Sequence, residues 1–283
     1  MTFSKEVKEE LALINNWTNK NELKAELNGY LLSTNAVINE NKIVFSTENI
    51  SNSNRFNKIL RNLKINYDSV KKGKLYITTS VNSEIDLYDI DVENKAILKC
   101  VLRGAFLASG TISNPNNKYH LDVLLSKKEN AKYLNYITEQ FGVKSKVLKR
   151  GINYSLYIKD GETISNFLAL IGANKSVLNF EEIRVMREMK NNVNRIVNCE
   201  TANLNKIINV SVSQIEDINY IIKKNRFGEL PENLKQIAQI RLENPDMSLA
   251  QMGKLLENPI GKSGVNHRLK KISEIAEKIR REE

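Results

Sequence analysis

Residues Lys99–Ile112 read KCVLRGAFLASGTI, an apolar stretch with the periodicity of a buried helix. Small residues recur within it: Gly104 and Ala108 are four positions apart, so they lie one above the other on one face of the predicted helix. A helix with small residues on one face can approach a partner more closely than a helix lined with leucine. This stretch therefore predicts a buried helix that packs tightly against another helix.

A second stretch with the same design occurs earlier in the chain. Residues Ala25–Val37 read AELNGYLLSTNAV and place Gly29 and Ser33 where the later stretch has its glycine and alanine. One such run alone is typical of an ordinary core helix, but two of them, 75 positions apart, indicate a duplicated half-domain. We expect the two helices to form a seam between the halves, made by Gly29, Ser33, Gly104 and Ala108.

The segments that follow the two stretches also occur in the same order. After the first, the pattern predicts a strand at Lys42–Thr47, a helix at Asn54–Leu63 and two strands within Ile65–Ser80. After the second, it predicts a strand at His120–Ser126, a helix at Glu129–Phe141, and strands at Lys144–Lys149 and Asn153–Lys159. A helix with Ser4 as its N-cap precedes the first half, and a helix at Glu162–Ile171, stopped by Gly172, closes the second. The predicted fold class is α+β, with a duplicated αββαββα body of pseudo-twofold symmetry.

The segment after this body is predicted to be helical. Phe180–Asn203 has a helical period, and Lys206–Asn225 has the pattern of another helix. Four basic residues lie on the first of these helices: Arg184, Arg187, Lys190 and Arg195. Its apolar positions are Ile183, Met186 and Ile196. A basic helix that contacts a partner and an amphipathic helix that packs on the rest of the protein both fit this pattern.

The last fifty residues predict three helices. Pro231 stands at the start of the first, which ends at Asn244–Pro245. Ser248 and Gln251 have the spacing of a capping box and open a short second helix. After a turn at residues 258–261, a third helix has its buried face at Val265, Leu269, Ile272 and Ala276. Helix, helix, turn, helix is the order of a helix-turn-helix DNA-binding domain.

The third of these helices has the charge expected of a helix in the major groove of DNA. No acidic residue occurs from Gly261 to Ile272. The candidate contacts to base edges are Ser263, Asn266, His267 and Lys270, and those to the phosphate backbone are Lys262, Arg268 and Lys271. Arg268 is the residue whose role is most open, because its place beside Leu269 could turn it toward a carboxylate of its own domain.

Composition agrees with an anionic partner. The 283 residues contain 43 Lys+Arg and 33 Asp+Glu, a formal net charge of +10, which suits binding to double-stranded DNA. No stretch approaches the ~18 consecutive apolar residues that a membrane span requires, so we expect no membrane partner and a cytoplasmic, nucleoid-associated protein. Placement of the charges, more than their number, decides the interpretation.

Cysteine and histidine are too few and too scattered for a metal centre. Cys100 and Cys199 lie in separate helical runs without C-x-x-C spacing, and His120 and His267 are the only histidines. We expect no metal and no cofactor. The two cysteines are predicted to be small core residues of a reduced protein.

The segment Leu102–Gly110, LRGAFLASG, resembles the LAGLIDADG motif of homing endonucleases, and Leu27–Asn35 is a weaker copy of it. In that family an acid in the eighth place of each motif helix holds the divalent metal that cuts DNA. Here those places are Thr34 and Ser109, and neutral hydroxyls are poor substitutes for carboxylates at a hard cation. The resemblance implies the fold of the family without its catalytic residues, so we expect no enzymatic activity.

With both ends of the chain considered, nearly all of it resembles the WhiA family of bacterial DNA-binding regulators. Five segments carry this resemblance: SKEVKEEL at Ser4–Leu11, LRGAFLASGTI at Leu102–Ile112, YHLDV at Tyr119–Val123, NRIVNCETANLNK at Asn194–Lys206 and PIGKSGVNHRLKKI at Pro259–Ile272. The resemblance implies a transcriptional regulator involved in cell division and chromosome segregation, and in sporulation in spore formers. It also implies a degenerate LAGLIDADG body joined to the C-terminal helix-turn-helix.

The expected domains are a body at 1–175, with halves at about 1–90 and 91–175, a helical connecting region at 176–226 and a helix-turn-helix domain at 227–283. Two other functions stay open. A metal-dependent homing-type endonuclease would need carboxylates such as Asp122 to reach the motif ends by another route. A DNA-placed docking module would use the body to bind a protein partner, such as the transcription machinery or a co-regulator.

Overall fold

The computed structural model describes residues 2–39, 42–81 and 90–282. The chain divides into two compact units, Met1–Met189 and Lys190–Glu283, and each has its own hydrophobic core. The expected division at residues 175 and 226 stays a proposal, since compactness places one boundary at 189. The expected boundary between the two halves adjoins residues 82–89, which lie outside the described residues.

The first unit contains the same order of elements twice. Helix α1 (Phe3–Ala12) is followed by α2 (Lys20–Leu31), β1 (Ala36–Asn39), β2 (Lys42–Thr47), α3 (Ile50–Asn62), β3 (Tyr67–Lys72) and β4 (Leu75–Val81). The second half has α4 (Lys95–Ser109), β5 (Gly110–Ile112), β6 (Leu121–Leu125), α5 (Lys128–Gln140), β7 (Lys146–Arg150), β8 (Asn153–Ile158) and α6 (Gly161–Ile171). The two antiparallel sheets have equivalent strand orders, β1-β2-β4-β3 and β5-β6-β8-β7. The duplication predicted from the sequence is therefore present in the topology.

Two strands and two helix starts differ from the prediction. Helix α3 begins at Ile50, where the Asn49 side chain caps it, and not at Asn54. The first motif helix ends at Leu31, and Ala36–Asn39 is an edge strand. The second motif helix ends at Ser109, and Gly110–Ile112 directly after it is a short strand. Both segments continue the apolar pattern of the helix before them, which conceals the change of backbone. The N-cap of α1 is Thr2 instead of Ser4, whose hydroxyl accepts a hydrogen bond from the backbone N–H of Ile112 at 3.3 Å.

Helices α2 and α4 meet backbone to backbone through their glycines. A Cβ built on Gly104 would overlap the carbonyl oxygen of Glu26 and lie 2.9 Å from its carbonyl carbon. A Cβ built on Gly29 would overlap the carbonyl oxygen of Val101 and lie 2.7 Å from the nitrogen of Ala105. The two contacts are related by the same offset of 75 residues as the two motifs, so the pseudo-twofold axis passes between them.

The other two seam residues behave differently from each other. Ala108 is buried in α4, and its carbonyl oxygen accepts a hydrogen bond from the Asn35 side chain at 2.8 Å. Ser33 lies two residues past the end of α2, so the helix seam does not reach it. Instead its backbone forms an isolated bridge with Leu125 of the second half, and its hydroxyl donates to the carbonyl of Tyr30.

A buried ion cluster lies beside the seam. The carboxylate of Glu26, fully buried, pairs with Arg55 of α3, whose Nη2 donates to Glu26 Oε2 at 2.7 Å, and with Arg103 of α4 at 3.5 Å. Arg55 also donates to the carbonyl of Ile14, and Arg103 donates to that of Ile171 at 2.8 Å. Burial lowers the pKa of Arg55, but the hydrogen bond and charge of Glu26 outweigh it and raise that pKa above its ordinary value.

Helix α7 (Asn174–Lys223) is a single helix of 50 residues, whereas the sequence predicts two. It contains no glycine or proline, so its seven asparagines between residues 191 and 209 weaken the helix without breaking it. Its first turn is capped from a distance by the carboxylate of Glu10 on α1. That carboxylate accepts from the backbone N–H groups of Lys175 at 2.7 Å and Ser176 at 2.8 Å.

The second unit contains the end of α7 and three further helices. A short 3-10 turn at Phe227–Glu229 leads into α8 (Glu232–Glu243), α9 (Leu249–Leu255) and α10 (Lys262–Arg281). The core of this unit contains Ile218 and Ile221 of α7 together with the buried faces of the other helices. The expected capping box at Ser248 and Gln251 is confirmed.

Candidate nucleic-acid interface

Helices α9 and α10 are joined by a tight turn. The backbone N–H of Ile260 donates to the carbonyl of Gly253 at 3.1 Å, and a Cβ built on Gly253 would overlap the carbonyl oxygen of Ile260. The turn therefore requires glycine at this position. Ile279 continues the buried face of α10, and the four residues predicted for that face are buried: Val265, Leu269, Ile272 and Ala276. This packing fixes the direction in which the remaining side chains of α10 point.

The structure leaves one side of α10 open to solvent. Six of the seven candidate DNA contacts are exposed: Lys262, Ser263, Asn266, His267, Lys270 and Lys271. Arg268 is half-buried, and its guanidinium donates to the backbone carbonyl of Asn233 on α8 at 3.4 Å. Arg268 therefore makes a contact within its own domain. Its partner there is a backbone carbonyl and not a carboxylate. The first acid on the helix is Glu274.

Helix α7 lies directly beside α10 in this unit. A groove of about 390 Å³ between them is lined by Asn209 and Ser213 of α7 and by Asn266, Lys270 and Ser273 of α10. The residues of α7 were absent from the predicted site. The sequence shows an acid-poor, asparagine-rich helix, but nothing in the sequence places it against α10.

The basic residues at the start of α7 are occupied within the first unit. Arg184 pairs with Glu181 at 2.7 Å, and Arg187 donates to the carbonyl of Pro115 at 2.6 Å. The packing interpretation of this helix also fails in part, because Met186 and Ile196 are 65% and 59% exposed. Lys190 and Arg195 are exposed, so only the first two of the four basic residues of this stretch are occupied within the first unit.

The eighth positions of the two motif segments, Thr34 and Ser109, share one hydrogen-bond acceptor in the body. Ser109 is buried, and its hydroxyl donates to the carbonyl oxygen of Leu124 on β6 at 2.5 Å. The backbone N–H of Thr34 donates to the same oxygen at 3.3 Å. The two positions where homing endonucleases carry acids are therefore close together and are joined by neutral hydrogen bonds. Their donor set does not suit a hard divalent cation.

Asp122 is the carboxylate that could approach the motif ends by another route. Its oxygens already form hydrogen bonds with the His120 ring and the Ser155 hydroxyl, and Arg150 Nη2 lies 3.4 Å from Oδ2. Of the two cysteines predicted to be core residues, Cys100 is buried, and burial raises the pKa of its thiol to about 12, so it stays protonated. The prediction is wrong for Cys199, which is exposed on α7. The described residues contain no group of three or more His, Cys, Asp or Glu side chains placed to hold a metal.

Comparison with known proteins relates both units to one family. Residues 98–190 match the family described as the WhiA LAGLIDADG-like domain, and residues 193–276 match that of the WhiA C-terminal HTH domain. A protein from Clostridium botulinum named "Probable cell division protein WhiA" is 39% identical, and the match covers 99% of each chain. The chain belongs to the WhiA family.

Other members of the WhiA family support the same assignment. A Thermoanaerobacter relative of the same name is 48% identical over 74% of this chain and 67% of its own. Full-length DUF199/WhiA from Thermotoga maritima has a crystal structure that is 30% identical, with a TM-score of 0.66 over 98% of this chain and 99% of the other. The N-terminal LAGLIDADG domain of DUF199/WhiA matches 60% of this chain at a TM-score of 0.56 and 26% identity, with 90% of that chain covered.

These matches confirm the resemblance and the predicted fold class. The WhiA-family chain has a mixed α/β, LAGLIDADG-like body followed by a helical helix-turn-helix region. The family matches change over between residues 190 and 193, close to the boundary of the two compact units. Of the helices in the described residues, none combines the length and the apolar character needed to cross a membrane.

Proposed function

We propose that this chain is a sequence-specific DNA-binding regulator of transcription that reads its target with α10. The observation that supports this most directly is the exposed side of α10, with six polar or basic residues and no acid before Glu274. A surface of this composition suits the major groove and its flanking phosphates. Since relatives are named as probable cell division proteins, we propose target genes for cell division and chromosome segregation, and for sporulation in spore formers.

We assign two kinds of contact to α10. Asn266 presents an amide that can form two hydrogen bonds with an adenine edge, which gives sequence information. Lys271 carries a point charge on a flexible stem, which favours a phosphate and adds affinity without sequence information. We do not include Arg268 among the DNA contacts, because its guanidinium donates a hydrogen bond to the Asn233 carbonyl on α8.

Two substitutions separate these contacts. On a duplex selected from a random library by the full chain, Asn266→Ala should cost about 1–3 kcal/mol, with little loss on a scrambled duplex. Lys271→Ala should weaken binding to both duplexes alike and lower the salt slope by about one, since it removes one phosphate contact. Fluorescence anisotropy titrations of both duplexes at several salt concentrations measure both effects.

Lys278→Ala is the matched control, because Lys278 is an exposed lysine on the same helix, beyond the first acid. It should leave affinity and salt slope near those of the parent chain. Equal losses by Asn266→Ala on selected and scrambled duplexes would refute the division of roles. If both test variants bind DNA with the affinity of the parent chain, α10 is not part of the DNA interface.

We further propose that the body acts without cutting DNA. Supercoiled plasmid should stay intact in Mg²⁺ or Mn²⁺, because Thr34 and Ser109 supply no carboxylate and Asp122 is already paired. Gel electrophoresis over a range of protein concentrations checks this. Metal-dependent nicking that disappears in the Ser109→Ala variant would support the endonuclease instead.

A role of the body in binding a protein partner is favoured by the outer face of its first sheet. Strands β2, β3 and β4 present there Val44, Val70 and Ile77, and Val37 of β1 lies on the same face; Val37 and Val70 are about half exposed. The same face also carries Lys42, Asp68 and Lys72, so its apolar cluster is set among polar side chains, as in a protein contact with a polar rim. Loss of a co-purifying transcription protein in a Val70→Asp variant would support the docking role; retention would contradict it.

A further inference from the structure

Helix α7 presents a polar strip next to the recognition helix. Lys206, Asn209 and Ser213 are three and four positions apart, so they share one face of the helix, and all three are exposed. Asn209 and Ser213 line the groove shared with Asn266 and Lys270. Lys206 lies at a second hollow of about 270 Å³, which Lys262 also lines. The strip thus runs alongside the half of α10 to which we assign DNA contacts.

The strip is held in a fixed place within the second unit. Asp217, one turn beyond Ser213, forms an ion pair with Arg280 of α10 at 2.8 Å. The hydroxyl of Ser211 donates to the carbonyl of Pro245, which ties α7 to the loop between α8 and α9. Ile218 and Ile221 are buried in the core of the unit. These contacts place the strip against α10 before any ligand binds.

The strip has the chemistry of a phosphate-binding surface. Its side chains offer an ammonium, an amide and a hydroxyl, all hydrogen-bond donors, and α7 has no acid between Glu200 and Glu216. The two hollows beside it are lined without a carboxylate as well. A helix in the major groove is bordered on each side by a sugar-phosphate strand.

We propose that Lys206, Asn209 and Ser213 of α7 bind the DNA phosphate backbone beside the recognition helix, as a second contact strip. This inference rests on the proposed function, because the strip reaches DNA only if α10 does. The contacts are independent of sequence, so they add affinity and fix the orientation of α10 without selecting a base.

Lys206→Ala tests the charge of the strip. With the full chain and a random-sequence duplex, the dependence of log affinity on log salt should fall by ~0.9, as for one lost phosphate contact. Lys223→Ala is the control, because it removes the same charge from an exposed site about 25 Å farther along the same helix. Its salt slope should match that of the parent chain.

Asn209→Asp tests the amide without changing its size. It replaces a donor with a negative charge, so affinity for the random duplex should fall at least about fivefold at low salt. Asn194→Asp makes the same change about 22 Å away on the same helix and should have a much smaller effect. Circular dichroism and thermal melting of each variant confirm that the fold is kept.

The recognition variant Asn266→Ala distinguishes failure of this inference from failure of the proposed function. If Lys206→Ala and Asn209→Asp bind as the parent does while Asn266→Ala loses its selected duplex, the strip is not a DNA contact and the function stands. If Asn266→Ala and Lys271→Ala also retain full binding, both the contact strip and the proposed function are wrong. If the two strip variants lose affinity no more than their controls, a local contact is likewise excluded.

Discussion

Gly104→Ala is expected to destabilise the first unit by roughly 3 kcal/mol, at the upper end of the usual cost of overpacking. The added methyl group would overlap the carbonyl oxygen of Glu26, which is backbone and cannot turn aside like a side chain. Relief requires the two central helices to move apart, which would disturb packing along the whole seam. Thermal or denaturant unfolding of the full chain, followed by near-ultraviolet circular dichroism, measures the loss.

Gly29→Ala should have a similar effect, because its pseudo-symmetric contact with Val101 is equally close. Gly228→Ala is the control, since a Cβ there would meet nothing within 4 Å. An unchanged unfolding midpoint for both seam variants would show that the helices separate easily and that the close approach is unimportant for stability.

Glu26→Ala is expected to cost about 3–5 kcal/mol of unfolding free energy, because it leaves Arg55 and Arg103 buried without their counter-charge. Arg55 is only 2% exposed, so water cannot replace the carboxylate. Chemical denaturation of the full chain is the appropriate measurement. Glu9→Gln removes a carboxylate from the solvent-exposed pair with Lys5 and should cost less than about 0.5 kcal/mol.

A double variant shows whether the charges are coupled. Glu26→Met combined with Arg55→Met should lose less stability than the sum of the two single changes, because each single change strands a charge that the other removes. Additive losses would indicate that Glu26 and Arg55 contribute through packing alone.

The sequence was most informative where local pattern and buried face coincide. The two glycines at the seam, the order of elements in each half after its first strand, the capping box at Ser248 and the buried face of α10 all follow from spacing. Contacts between distant residues were hidden from it. Glu26 looks like a surface acid within an apolar helix, and only the fold brings it to arginines 29 and 77 positions away.

For the candidate interface too, the sequence predicts what depends on local pattern and misses what depends on contacts between distant residues. The exposed residues of α10 follow from the positions of its buried ones, whereas the bond from Arg268 to α8 depends on the packing of two helices. The periodicity predicts two helices, Phe180–Asn203 and Lys206–Asn225, where the structure has one. The approach of this helix to α10 depends on tertiary packing, which the sequence pattern does not show.

The hydrogen bonds from the start of α7 to Glu10 join two parts of the chain that are synthesised at different times. Glu10 and Ser176 are 166 positions apart, which is on the order of ten to thirty seconds of synthesis at bacterial rates. Until residues 175 and 176 are synthesised, the Glu10 carboxylate has no helix end to accept from. Helix α10 is translated later still, so the residues that cap the first turn of α7 are all synthesised before it.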